Sequence, residues 1–192
     1  MRHYLLATIR PVAAAAATLG LMGLGCVGPH AGDDFADLPD DIIKVVAFLD
    51  TNPWLSFDPS LMAPDGLKVK ALYLLSSRTQ KGVFAAGTIE VLLYSVRSPG
   101  TGPAALEALI QKWALGPAEA LPYRVKKIAP LGRSYHLRLP WRDIDIAGRE
   151  VALVIRYRNR AGDITATRRP TFLKVPPRQP PAPTVPPSPA RR

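Results

Sequence analysis

The sequence is poor in the residues that most often carry chemistry. It holds one cysteine, which excludes a disulfide framework and a cysteine-rich zinc site. It holds three histidines, two of them before residue 31, so little is left for a metal or triad centre, and no metal or cofactor is expected. Its most apolar run, Val12–Leu24, is 13 residues long, short of the ~20 that cross a bilayer as a helix. No glycine-rich phosphate loop is present: Gly100-Thr101-Gly102-Pro103 has a proline where a helix amide would meet phosphate. The bulk composition, 47% hydrophobic and 21% charged, excludes a disordered chain and a multi-span membrane protein. Proline alone is abundant, at 21 of 192 residues, and it is unevenly placed.

The two ends read differently from the middle. Arg2 and Arg10 open the chain without an acid, and no charge follows from Pro11 to Gly32. A positive start, a 13-residue apolar run and small residues after it have the form of a secretion signal over residues 1–25. At the other end, residues 176–192 read PPRQPPAPTVPPSPARR, with eight prolines, three arginines and no acid among 17 residues. Proline lacks the amide donor and fixes φ, so a basic, extended polyproline II tail without a core of its own is expected there.

Between them, residues 42–175 carry strand signals, preceded by an acidic linker over 26–41. Ile42–Leu49 contains the β-branched run IIKVV and favours a strand. Leu67–Leu75 begins by alternating, with Leu67, Val69 and Ala71 in and Lys68 and Lys70 out. Thr88–Val96 follows Gly87. Ser134–Trp141 sets Tyr135, Leu137, Leu139 and Trp141 against His136 and Arg138. Glu150–Asn159 sets Val151, Leu153, Ile155 and Tyr157 against Arg156 and Arg158. Asn159–Asp163 reads as a turn. Ile164–Val175 is a last strand broken by Pro170, which marks an edge or a bulge, and Arg124–Ile128 reads as a short edge strand. One segment has helical spacing: Leu106, Leu109, Ile110 and Trp113, with Pro103 before it and Gly116 after it. The expectation is a mainly β protein, an antiparallel sandwich of immunoglobulin- or transthyretin-like topology with one short helical insertion, and Trp113 as a core anchor.

Few residues offer catalysis. Ser134 and His136 are two apart and would share the solvent face of a strand, a weak nucleophile–base pair. Asp143 and Asp145 follow a strand at a turn, where aspartates commonly bond the backbone, although two carboxylates also suit a cation or a sugar. The acids from Asp33 to Asp41 lack the spacing of a calcium loop and read as a solvated linker.

Charge is the more usable signal. Residues 33–65 hold eight acids and one lysine, whereas residues 66–175 hold 19 basic and seven acidic residues. Arginine concentrates late in the chain. If the strand over 150–159 pairs with that over 164–175, Arg156 and Arg158 share a basic face with Arg168. A secretion signal removes such a face from nucleic acid, so anionic lipid or wall polymer is the expected partner. The competing reading is that the acidic segment lies across these arginines and neutralises them.

The run ending Gly23-Leu24-Gly25-Cys26 resembles the bacterial lipoprotein signal, with Gly23 where that family usually has an aliphatic residue. The resemblance implies that Cys26 is lipidated, becomes the mature N-terminus and holds the protein at a membrane of the cell envelope, on the outer-membrane or periplasmic side of a Gram-negative cell. Plain secretion and an uncleaved anchor remain alternatives. The pattern PDGLKVKALYLLSS, AAGTIEVLLYSV, GRSYHLRLPW and GREVALVIRYRN is similar to secreted proteins of unknown function. Leu67–Ser76 resembles, loosely, the first strand of the type VI secretion outer-membrane lipoprotein, which implies docking to an envelope protein. Three functions follow as expectations: a non-enzymatic envelope lipoprotein presenting a binding or scaffold module, a subunit of an envelope or secretion machine, and a surface hydrolase built on Ser134/His136 or Asp143/Asp145.

Overall fold

The computed structural model describes residues 35–97, 105–126, 129–141 and 144–178. Cys26, His30, Asp33, Asp34, Asp143, the Gly100–Pro103 stretch and the tail beyond Arg178 lie outside them.

Two antiparallel sheets face each other. One contains β1 (Ile42–Phe48), β2 (Trp54–Leu55), β3 (Gly66–Ser76), β4 (Gly82–Val83) and β7 (Tyr135–Pro140). The other has the order β10 (Thr171–Lys174), β8 (Glu150–Arg158), β5 (Thr88–Arg97), β6 (Ala105–Leu115), with β9 (Ile164–Ala166) also on β8. β3 is the spine of the first sheet: Leu67 pairs with Trp54 on one side and Leu139 on the other, and Leu74 pairs with Val45 and Val83. The expected sandwich is therefore what forms, and the strands anticipated at Ile42, Leu67, Thr88, Ser134, Glu150 and Ile164 are all present within a few residues.

The period-2 pattern explains why these segments are strands. β7 alternates strictly between buried and exposed residues, and β8 buries Val151, Leu153, Ile155 and Tyr157. These residues meet Val69, Leu72, Leu74, Leu137 and Leu139 of the opposite sheet and Ile89, Val91 and Leu93 of β5 in one core.

The chain passes from the first sheet to the second through residues 84–87, and a tyrosine from each sheet holds that crossing. The Tyr135 hydroxyl accepts from the Ala85 amide at 3.1 Å, and the Tyr157 hydroxyl accepts from the Gly87 amide at 2.7 Å. Gly87 is required here: a Cβ would stand 2.2 Å from the Arg158 carbonyl oxygen and 2.6 Å from the Tyr157 hydroxyl.

The helix expected over Leu106–Trp113 is not there. That segment is β6, paired along β5. The register explains the misleading spacing. Leu93 faces Gln111, Tyr94 faces Leu109 and Val96 faces Leu106, so β6 gains a residue twice against β5. Each bulge inverts the alternation, and apolar residues three and four apart then sit on a strand. The one short helix among the described residues, α1 (Pro117–Ala120), is a single turn that follows. Gly116 precedes it as its N-cap and Pro117 is its first residue, so the glycine read as a stop is a start.

Two boundaries also shift. The acidic linker is not free of the domain to its end: the Asp41 carboxylate accepts from the hydroxyls of Ser76 and Ser77, and Asp40 accepts from the Tyr157 hydroxyl. The tail begins later than residue 176, because Val175 is buried and the Pro176 carbonyl oxygen accepts from the Gly148 amide. At Pro170 both expectations hold. β9 and β10 lie along the same edge of β8, and residues 167–170 span what Val154 and Ile155 span opposite them. Of the short strand expected over Arg124–Ile128, Arg124 makes a single bridge to Tyr135, and residues 127 and 128 are not described.

Candidate binding site

A cleft of about 690 Å³ opens between residues 57–65 on one side and residues 140, 141 and 144–146 on the other, within the volume range of small-molecule sites. Its walls include Phe57, Leu61, Pro64, Trp141, Ile144 and Ile146. The walls are built from the backbone outward. The buried Asp65 carboxylate accepts from the amides of Phe57 and Asp58, the latter at 2.7 Å. It thereby closes the 57–65 segment on itself. Asp58 caps the short 3-10 turn Pro59–Leu61, accepting from the Ser60 amide at 2.9 Å and from its hydroxyl. Those Ser60 bonds hold the Asp58 carboxyl below its ordinary value. Phe57 packs against the chain at Gly66, where a Cβ would stand 2.3 Å from its ring. The Asp65 carbonyl oxygen accepts from the Trp141 amide at 2.9 Å, joining the two sides of the cleft.

Trp141, which lines the cleft, gathers the other two tryptophans of the chain around it. Trp141 meets Trp54 edge-on at 6.3 Å and Trp113 at 6.4 Å. Two of the indole N–H groups are used: Trp113 donates to the Pro140 carbonyl at 2.7 Å and Trp54 to the Lys174 carbonyl at 3.1 Å. Trp113 thus packs against the core as expected, from a strand rather than a helix.

Asp145 lines the cleft and is a turn residue as well as an ion-pair partner. One carboxylate oxygen accepts from Arg178 at 2.9 Å and the other from the Ala147 amide at 3.3 Å. Arg178 first, then that amide, lowers its carboxyl. Its proposed partner Asp143 is outside the described residues.

The basic face lies elsewhere, on the outer side of the second sheet. Arg156 and Arg158 do share that side. They surround Glu90, which is nearly inaccessible there: Lys112 approaches it at 2.7 Å, Arg158 at 3.6 Å, and Arg156 bonds its other oxygen. Burial opposes the Glu90 charge, but the bonds from Lys112 and Arg156 outweigh it and hold the carboxyl below its ordinary value. Among the described acids, neutralisation of these arginines comes from Glu90 and not from the acidic N-terminal segment. Asp40 engages Tyr157 and the Arg160 amide, while Asp50 pairs with Lys68 and Lys70. Arg168 is exposed in the break between β9 and β10, at the sheet edge.

The Ser134–His136 pair is taken apart. Ser134 is buried, just before β7, while His136 is exposed on it. With one buried and the other exposed, they do not share the solvent face. No group of three or more metal-ligating side chains occurs among the described residues.

The cleft has little sequence signal, because its two sides come together through the pairing of Leu67 with Leu139 and Gly66 with Pro140, between segments far apart in the chain. Comparison with known proteins leaves the reading to the geometry: no family model, no curated protein and no solved structure matches this chain.

Proposed function

We propose that this is a non-enzymatic lipoprotein of the cell envelope, held at a membrane by lipid on Cys26 and presenting its β-sandwich as a binding or scaffold module. The carrying observation is that the only cysteine of the chain closes its charge-free apolar run. Acyl chains on that cysteine anchor the chain because each buried methylene contributes about 0.8 kcal/mol. The sandwich supports the binding half of the reading. Its cleft has mainly apolar walls, Trp141 among them, and the Asp145–Arg178 pair beside it, which suits capture of an apolar group with one polar contact. The separation of Ser134 from His136 favours binding over hydrolysis.

In this reading the lipid fixes the location and the sandwich supplies the recognition. Replacing Cys26 by serine removes the sulfur that carries the acyl chains in this reading. The Cys26→Ser protein is therefore expected in the soluble fraction after cell breakage, with the unaltered protein in the membrane pellet. Unchanged membrane association of Cys26→Ser would overturn the lipid anchor.

A further inference from the structure

The outer side of the β10-β8-β5-β6 sheet divides into two zones. On β5, Ile89, Val91 and Leu93 enter the core, so Glu90, Leu92, Tyr94 and Val96 face outward. Their partners share that side: Arg156, Val154 and Ala152 on β8, and Ala114, Lys112, Leu109 and Leu106 on β6. Phe172 extends the row from Ala152 onto β10. One zone is cationic, with Lys112, Arg156 and Arg158 sharing the single carboxylate of Glu90. The adjoining zone is apolar and open, with Leu106, Leu109 and Phe172 at 42%, 49% and 49% exposure.

We infer that this sheet face rests on the surface of an anionic phospholipid bilayer. A bilayer surface offers phosphates above an acyl layer, which matches cations beside outward apolar side chains on one sheet. The charge argues against a second copy of this chain. The excess positive charge of both copies would enter one interface, and the chain as a whole carries +10. The inference takes its setting from the membrane-anchored reading above, to which it adds a second point of attachment.

The test is cosedimentation of the full chain carrying Cys26→Ser with vesicles of phosphatidylcholine, with and without phosphatidylglycerol. Binding is expected on the anionic vesicles, about tenfold weaker on neutral ones and weakened by salt. Leu109→Glu with Phe172→Glu is expected to lower it about tenfold. Ile43→Glu, at the 58%-exposed Ile43 of the other sheet, is expected to leave it unchanged. Thermal unfolding checks that each variant is folded, and Leu106→Glu replaces any that is not. The inference is overturned by no binding to anionic vesicles, by equal binding of the double variant, or by equal loss in Ile43→Glu. A dimer in solution that the double variant dissolves, without vesicle binding, overturns it in favour of a second copy. The anchor fails separately, if the mass of the native protein shows an unmodified Cys26; vesicle binding by Cys26→Ser would then still stand.

Discussion

Glu90 organises three cations on the outer side of its sheet, and its loss would leave them facing one another. We expect Glu90→Gln to cost about 1–2 kcal/mol in urea unfolding at pH 7, less than a deeply buried pair, because Lys112 and Arg158 are more than a third exposed and water screens them. The folded state holds this carboxyl below its ordinary value of about 4.3. Its contribution is thus fully present above that pH and is lost as pH falls through the folded value. Part of the acid sensitivity of the protein should disappear in Glu90→Gln. Tyr157 has the opposite sign. Burial first, then the Asp40 carboxylate that its hydroxyl bonds, pushes the phenol well above its ordinary value of about 10. The neutral phenol stabilises the fold below that pH, and the benefit is lost as pH rises through the folded value. Tyr157→Phe should cost about 1–3 kcal/mol at pH 7 and should flatten the stability loss of the parent in strong alkali, measured by urea titration across that range.

At the scale of elements, β6 and β7 show when a pattern can be read. β7 has no bulge among its own residues, so its burial alternates one residue at a time and YHLRLP is recognisable as a strand from the chain alone. β6 carries two extra residues against β5 and is an edge strand, so one of its two sides is unpaired among the described residues. Its apolar residues then repeat at three and four, the period of a helix, and the neighbouring strand decides the outcome. Amide hydrogen exchange distinguishes the two directly. Over residues 105–115 we expect protection at alternate amides, interrupted near Ile110 and again near Glu107 and Ala108; a continuous protected block would mean a helix. The same dependence on partners explains Ser134. Counting by twos places it with His136, but it lies before β7, where the period does not apply.

At the scale of the whole molecule, the cleft depends on three tryptophans brought from residues 54, 113 and 141. Trp141 is their meeting point and is only 5% exposed. Trp141→Ala should cost about 3–5 kcal/mol in chemical denaturation and enlarge the cleft, while near-UV circular dichroism loses its indole signal. A loss below about 1 kcal/mol would show that Trp54 and Trp113 do not depend on it.

The sequence by itself determined the sandwich class and most of its strands, because alternation of apolar and polar residues is a local record of which side is buried. It also showed that arginines gather on one side of β8, since Arg156 and Arg158 are two residues apart. Only the tertiary structure decided that Glu90 sits among them, that residues 105–115 are a strand, and that Phe57, Trp141 and Asp145 border one cleft. Each of these is a contact between residues far apart in the chain, set by strand register, and register is a property of pairs of segments that no single segment carries.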